Sequence, residues 1–352
     1  MIERKMTRQI KIGDVAVGGG APVSIQSMTN TDTRDTEATI AQIKRLEAAG
    51  CEIVRCAVVD ENAAKAFRTI RNAVRVPLIA DIHFDYRLAI ASMEHGADAI
   101  RINPGNIGSA ERVRAVVDAA KANGSAIRVG VNAGSLEKDI LKEHGITAEA
   151  LAKSAFRHIR QIEDMGFYDM KISLKASSVP LTYQAYTLFA AQSDYPLHIG
   201  VTEAGTFFAG TVKSSAGIGA LLLNGIGDTL RVSLTGDPEQ EVRVAWQLLN
   251  ALEIRRRGPE IISCPTCGRT EIGLEALAVE VEQRAAVLND TISIAVMGCP
   301  VNGPGEAKHA DYGIAGGRGQ GIIFKKGEPV KKVPETELVG ELFEIIKNDG
   351  VR

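Results

Sequence analysis

Three of the five cysteines lie in the C-terminal third of the chain, in a pattern suited to a metal or a cluster. Cys264 and Cys267 have C-x₂-C spacing in ISCPTCGR, and Cys299 lies in MGCPVNGPGE. Thiols in a chain without an export signal are metal ligands more readily than disulfide partners. A zinc site would need a fourth cysteine or a histidine, and His309 has no partner at H-x₃₋₅-H spacing. Proline after a cysteine and glycine-rich loops favour a [4Fe–4S] cluster with a non-cysteine fourth ligand.

Glu306 is our candidate for that fourth ligand, because it follows Cys299 across the turn VNGPG. A carboxylate is a harder donor than a thiolate and holds iron less firmly, so it can leave and open one iron to a substrate oxygen. The alternative is that Glu306 is a surface residue and that Cys56 or His309 is the ligand. We interpret Cys51 and Cys56 as small core residues, because free cysteine is commonly buried.

A second group of polar residues lies at the ends of eight β-rich runs. Five of them are cations, and each comes from a different run. Asp81 and Glu203 are the obvious acidic partners, and two carboxylates are too few to neutralise five cations. This group of cations therefore needs an anion. Arginine binds phosphate oxygens in a bidentate manner, and a diphosphate suits this charge better than one carboxylate. The group is Gln26, Arg55, Asp81, His83, Arg101, Asn103, Arg128, Asn132, Lys175, Glu203, Arg231 and Ser233.

These runs alternate with amphipathic helical stretches through the first 250 or so residues, which predicts a parallel sheet. Eight such units match a closed (β/α)₈ TIM barrel better than an open doubly wound sheet, and the carboxyl ends of barrel strands share one rim. One predicted helix, 36–50, is opened by Thr36 and closed by Gly50; another covers 149–166. The predicted strands lie within 23–28, 52–58, 77–83, 99–103, 126–132, 170–177, 197–203 and 229–234.

The repeating pattern stops at the charged segment RRRGPE, 255–260. We therefore predict a barrel domain over residues 1–253 and a smaller α+β domain over 254–352, which carries the three clustered cysteines. In the second domain the pattern predicts a helix (275–288), a strand (291–298), a hairpin with glycine turns (313–330) and a terminal helix (336–348).

The composition limits the partners that we expect. Forty-one basic and 43 acidic residues give a net charge of −2, so no global field attracts nucleic acid or an acidic membrane. The first thirteen residues lack the apolar region of a secretory signal, and the apolar stretch at 217–227 is too short and glycine-rich to span a bilayer. We expect a cytoplasmic protein.

At the motifs Cys-Pro-x-Cys-Gly-Arg, Cys-Pro-Val-Asn-Gly-Pro-Gly-Glu, NPGNIG (103–108) and GVTEAG (200–205), the sequence resembles the 4-hydroxy-3-methylbut-2-enyl diphosphate synthase family. The resemblance covers essentially the whole chain in the two-domain bacterial form. It implies a [4Fe–4S] cluster on Cys264, Cys267, Cys299 and Glu306. It also implies reductive opening of 2-C-methyl-D-erythritol 2,4-cyclodiphosphate at C2, with loss of the C3 hydroxyl as water.

The resemblance further implies single electrons from reduced flavodoxin or ferredoxin, and a head-to-tail homodimer in which one chain's cluster domain caps the partner's barrel. Glu203 is our first candidate for the proton donor to the departing hydroxyl, and His83 is the second. The substrate contacts that the family implies are Arg55, Asp81, His83, Arg101, Asn103, Arg128, Asn132, Lys175, Glu203, Arg231 and Ser233.

Two other functions stay open at this stage. One is a redox-silent transferase, because the barrel also resembles pterin-binding synthases that hold a diphosphate at the same mouth. In such a transferase the metal bound by the cysteines would be structural, and zinc would be the expected ion. The other is a non-enzymatic iron–sulfur carrier or sensor, which would explain a labile fourth ligand but not the cationic rim.

Overall fold

The computed structural model describes residues 2–299 and 308–352, and it forms two compact units. The first extends up to Arg255 and the second begins at Arg256. None of the helices in the described ranges combines the length and apolar character that a membrane-spanning helix requires.

The first unit is built on eight parallel strands, and each lies inside one of the eight predicted runs. They are β3 (Ser24–Met28), β4 (Ile53–Ala57), β5 (Leu78–Asp81), β6 (Ala99–Ile102), β7 (Ala126–Asn132), β8 (Met170–Lys175), β9 (His198–Ile199) and β10 (Thr229–Leu230). Their spatial order is β8-β7-β6-β5-β4-β3-β10-β9, and a bridge from Ile172 to Leu197 joins the two outer strands. The predicted TIM barrel is confirmed.

Helices follow the strands around the outside of this barrel. They are α1 (Thr36–Ala48), α2 (Glu61–Ala73), α3 (Tyr86–Glu94), α4 (Pro104–Ile107), α5 (Ala110–Asn123), α6 (Lys138–His144), α7 (Ala148–Glu163), α8 (Val179–Gln192), α9 (Phe207–Leu223) and α10 (Pro238–Ala251). The predicted cap of α1 was wrong by one residue. Asp35, not Thr36, is the N-cap, because its carboxylate accepts the Ala38 N–H.

A short N-terminal hairpin closes one end of the barrel, and the sequence pattern did not predict it. Strands β1 (Ile10–Ile12) and β2 (Val15–Val17) pair antiparallel. Their buried side chains pack on Ile53, Ala99 and Ala126, which begin their strands. Because the hairpin covers the amino ends of the strands, only the carboxyl ends form an open mouth.

The second unit is a five-stranded mixed sheet with two helices on one face. Its strands are β11 (Glu260–Ser263), β12 (Ser293–Met297), β13 (Tyr312–Gly317), β14 (Gln320–Lys325) and β15 (Glu328–Pro334), and its helices are α11 (Leu274–Ala285) and α12 (Leu338–Asn348). Strands β11 to β13 are parallel, and β13 to β15 are antiparallel. The predicted hairpin is β13–β14. Strand β15 was missed because only Val333 of its seven residues is buried.

Candidate active site

The inner face of the barrel gathers the predicted cations at its carboxyl end. Asp81, Arg101 and Arg128 are register partners on β5, β6 and β7, so their side chains point to the same side of the sheet. Arg55 of β4 and Lys175 of β8 join them, and all five side chains are nearly buried, with Arg128 only 1% exposed. Burial of so much positive charge is costly unless anions approach it.

Asp81 lies between two of these cations. Its Oδ1 is 3.9 Å from Arg55 Nε and 3.5 Å from Arg101 Nη1, and its Oδ2 is 3.5 Å from Nε2 of His83. Burial alone would raise the pKa of Asp81. The Arg55 charge, the hydrogen bond from His83 and the Arg101 charge outweigh it, so the pKa lies well below its usual range. Asp81 is therefore a fixed negative charge that aligns the two arginines.

Arg231 has a partner that the sequence reasoning missed. Glu241 of α10 accepts hydrogen bonds from Arg231 Nε and Nη2, both at 3.0 Å. It also accepts from Ser27 Oγ at 2.9 Å and from the Leu234 N–H at 3.0 Å. Glu241 falls on the buried stripe of α10 that includes Pro238, Val242 and Ala245, which was the available signal for it.

Glu203 was expected to be the second acidic partner of the rim cations, and this expectation was wrong. The residue is exposed, has φ +52°, and makes no ion pair with any described residue; only its carbonyl oxygen accepts a hydrogen bond, from Lys213 Nζ at 3.2 Å. Glu241 takes the role of partner. The positive φ is a strained backbone conformation for a glutamate, and such strain is concentrated at functional sites.

Two predicted cations have no ion-pair partner among the described residues. Arg128 leaves Nε and Nη1 without hydrogen bonds, and Lys175 is 7% exposed. Burial lowers the pKa of Lys175 well below its usual value, and the charges of Arg128, Arg55 and Arg231 lower it further. A buried donor without a partner costs about 1–3 kcal/mol, so these groups favour binding of an anion.

Of the other predicted residues, Asn103, Asn132 and Ser233 lie at or beyond the carboxyl ends of their strands, and Gln26 lies within β3. Asn103 is 3% exposed; it caps α4 by accepting the Gly105 N–H at 3.1 Å and donates to Ser135 Oγ at 3.3 Å. Asn132 ends β7, and Ser233 follows β10; both are half-buried. Gln26 is 1% exposed and accepts a 3.3 Å hydrogen bond from Lys171 Nζ, a buried lysine that the sequence pattern did not predict.

Gly130 on β7 provides the space that one of these arginines occupies. A Cβ atom at this position would lie 2.8 Å from Arg101 Nε and 3.4 Å from Ser173 Oγ. The lack of a side chain here therefore allows the Arg101 guanidinium to lie across the inner face, within reach of Asp81.

In the second unit the parallel strands β11 and β12 bring two of the cysteines to one edge of the sheet. Cys264 directly follows β11 and Cys299 follows β12, with Ser263 and Val296 in register. The Gly298 N–H donates to Cys264 Sγ at 3.3 Å. Hydrogen bonds from the backbone and side chain of Arg269 lower the pKa of exposed Cys267, which favours its thiolate.

Three soft sulfur donors, with a backbone N–H already directed at one of them, fit an iron–sulfur cluster. Within residues 2–299 and 308–352, however, no three cysteine, histidine or acidic side chains are close enough to hold a metal ion. Glu306, the predicted fourth ligand, lies outside the described residues. Cys51 and Cys56 are buried in the barrel core, as expected, and burial raises their pKa values to about 12 and about 11.

Comparison with known proteins agrees with both units. Residues 7–246 match the family model described as the GcpE TIM-barrel domain, and residues 260–348 match the GcpE protein C-terminal domain. The chain belongs to the GcpE family. The resemblance seen in the cysteine and NPGNIG motifs is thereby confirmed.

Two relatives with high identity carry the same name. A protein of Nitratidesulfovibrio vulgaris is 61% identical over 333 residues, covering 94% of this chain and 86% of that relative. A protein of Caldanaerobacter subterraneus subsp. tengcongensis is 59% identical over 345 residues, covering 98% of this chain and 97% of the relative. Both are named 4-hydroxy-3-methylbut-2-en-1-yl diphosphate synthase (flavodoxin).

The barrel is also similar to a solved dihydropteroate synthase from Stenotrophomonas maltophilia, with a TM-score of 0.50. The match covers 70% of this chain and 98% of that chain, at 15% identity. At such low identity the similarity indicates the shared barrel fold and carries no statement about substrate.

Proposed function

We propose that this GcpE-family chain is a 4-hydroxy-3-methylbut-2-enyl diphosphate synthase that opens 2-C-methyl-D-erythritol 2,4-cyclodiphosphate reductively. The observation that supports this most directly is the buried cationic inner face, on which Arg128 and Lys175 have no ion-pair partner within the described residues. A diphosphate supplies the missing negative charge. Its charge grows as the C2–O bond breaks, and fixed cations stabilise such a leaving group.

In this proposal the barrel, residues 1–253, binds the substrate, and residues 254–352 hold the cluster. Asp81 and Glu241 orient arginines, so that their free N–H groups face the diphosphate. Asn103 and Ser135 shape the adjacent loop through their hydrogen bond. The proposed substrate contacts are Arg55, Asp81, His83, Arg101, Asn103, Arg128, Asn132, Lys175, Glu203, Arg231 and Ser233.

We propose Cys264, Cys267, Cys299 and Glu306 as the ligands of a [4Fe–4S] cluster. When bound, the cluster supplies single electrons and a Lewis-acidic iron. The lowered pKa of Cys267 and the N–H donor at Cys264 support this assignment. We propose reduced flavodoxin or ferredoxin as the electron donor, in the cytoplasm. The name of the relatives includes the word flavodoxin.

For the proton that accompanies loss of the C3 hydroxyl, we propose Glu203 first and His83 second. Exposure of Glu203 lets it exchange protons with water, and His83 is 60% exposed while its Nε2 faces Asp81. Glu203→Gln should reduce turnover while substrate affinity is kept. Full turnover by this variant, with normal binding, would contradict the assignment and favour His83.

The decisive experiment is anaerobic purification, with iron and sulfide analysis, a visible spectrum and turnover of the cyclic diphosphate. About four iron and four sulfide per chain are expected, and Cys264→Ser should lose them while Cys56→Ala keeps them. A colourless zinc protein would refute the proposal and favour the transferase. A brown protein that does not convert the cyclic diphosphate would favour the carrier.

We also propose that the working unit is a head-to-tail homodimer in which each cluster domain serves the partner's barrel. Mixing the Cys264→Ser and Arg128→Ala chains should then restore part of the activity, because one mixed site contains neither substitution. If activity stays absent after subunit exchange has been verified, for example by differential tagging, the shared site is excluded.

A further inference from the structure

The inner face of the barrel carries one basic side chain more than the strand ends predict. Lys171 lies four residues before Lys175 on β8, so both side chains point into the barrel. Lys171 and Arg128 are register partners, and each is only 1% exposed. Within the described residues, the one hydrogen bond of Lys171 Nζ goes to Gln26 Oε1 at 3.3 Å.

The titratable groups around Lys171 are mostly basic, and they include buried His198 of the adjacent strand β9, whose pKa is lowered well below its usual value by burial and by basic groups such as Arg128 and Lys171. Burial is the largest cause that lowers the pKa of Lys171 well below the usual value, and the charges of Arg128 and Arg55 lower it further. Asp228 is the opposing charge that raises it. Asp228 is already engaged: its Oδ1 is 3.1 Å from Arg4 Nη2, and its Oδ2 accepts the Leu197 N–H at 2.8 Å.

The other carboxylates of the inner face are also occupied by arginines. Asp81 lies between Arg55 and Arg101, and Glu241 holds Arg231. None of the ion pairs in the described part of the chain includes Lys171. A protonated Lys171 beside Arg128 would therefore add a further buried charge without a counter-ion, which is the costly arrangement.

We propose that Lys171 is a positioning residue that carries a neutral amine in the ligand-free barrel and takes up one proton from solvent when a diphosphate binds. This inference rests on the proposed function. The cyclic diphosphate brings two negative charges, because each of its phosphorus atoms has one ester and one anhydride linkage and therefore one strongly acidic oxygen. These charges offset the repulsion from the arginines, and the amine becomes an ammonium ion without any bond of the ligand being broken.

Lys171 acts through its neighbour Arg128 rather than by touching the ligand. While the amine is neutral, Arg128 is the one charge at this position and its free N–H groups stay available. When the C2–O bond breaks, the oxygen stays on phosphorus, which keeps only its anhydride linkage and gains an ionisable oxygen. The ammonium of Lys171 then compensates the extra negative charge of the linear product.

The test begins with titration calorimetry of the full chain, with the cyclic diphosphate, in buffers of different ionisation enthalpy. Because this ligand has no group that titrates near neutral pH, proton exchange belongs to the protein. We expect about one proton per site to be taken up through Lys171, in addition to any proton that buried Lys175 gains, and for that proton an affinity that falls by up to about tenfold per pH unit as the pH rises. Lys171→Met should lose this uptake, and Lys65→Met, an exposed control on α2, should keep it.

The ionisation state of the free protein is measured separately, by NMR of lysines labelled at Cε. The signal that disappears in Lys171→Met should have the shift of a neutral amine at pH 7. An ammonium shift there, or equal proton uptake by Lys171→Met and the wild type, overturns the inference. If the cyclic diphosphate does not bind at all, the proposed function fails, while the NMR signal still decides the state of Lys171.

Discussion

Glu241→Gln tests whether one carboxylate of α10 fixes the last cation of the barrel. The carboxylate accepts two hydrogen bonds from Arg231, one from Ser27 and one from the Leu234 N–H, all between 2.9 and 3.0 Å. Glutamine keeps the shape but replaces one oxygen by NH₂. One of the Arg231 bonds then becomes a contact between two donors, and the negative charge is lost.

The expected cost follows from this geometry. Removing one partner of a buried ion pair costs about 3–5 kcal/mol, and one hydrogen bond to a charged group is worth about 1.5–3 kcal/mol. The Arg231 side chain is 16% exposed and can turn toward water, so we expect the lower end, about 3 kcal/mol. For a unit of this size that corresponds to a melting temperature lower by about 6–12 °C.

The assay is thermal unfolding followed by the fluorescence of Trp246, the chain's single tryptophan, which also lies on α10 and so reports on the barrel. Glu239→Gln is the matched control: it lies in the first turn of the same helix and pairs with Arg45, whose side chain is 53% exposed. An exposed pair contributes about 1 kcal/mol or less and is screened by salt. Equal shifts for the two variants, or a Glu241→Gln shift that vanishes in salt, would refute the reasoning.

Three further predictions concern the same barrel. Gly130→Ala should weaken binding of the cyclic diphosphate and lower the free energy of unfolding by about 1–3 kcal/mol, because the new Cβ would lie 2.8 Å from Arg101 Nε. Gly134→Ala, where a Cβ would meet no atom within 4 Å, is the control in calorimetry and thermal unfolding. Equal behaviour of the two variants would contradict the argument. Asp81→Asn should lower the free energy of unfolding at pH 7. The lowered pKa of folded Asp81 gives stability that is present above the unfolded pKa and is lost as the pH falls below about 4. In denaturant titrations, the difference in free energy of unfolding between the variant and the wild type should therefore be smaller at pH 3 than at pH 7. A larger difference at pH 3 would count against this prediction. Tyr186→Phe should cost about 1–3 kcal/mol in denaturant unfolding, because its buried hydroxyl accepts the Leu174 N–H and donates to the His198 carbonyl oxygen; no loss would mean that water replaces both contacts.

The sequence determined the elements of this protein and most of its candidate site. Each barrel strand lies within a run whose β-rich character is local, and chain direction places the ends of these runs on one rim. That is why the sequence alone predicts Arg55, Asp81, Arg101, Arg128 and Lys175 as neighbours on this rim. Cys264 and Cys299 follow strands for the same reason, and β11 and β12 bring them to one edge.

Other features depend on contacts between residues far apart in the chain, so only the tertiary structure decided them. Glu241 reaches Ser27 across 214 positions, and Lys171 reaches Gln26 across 145. The closure of the amino end by the N-terminal hairpin, and the space at Gly130 for Arg101, likewise arise from packing. Hydrophobic periodicity records which face of an element is buried, but it carries no information about which buried charge meets which. The register and closure of the barrel set that pairing. They therefore also set the net charge that the inner face presents to its ligand.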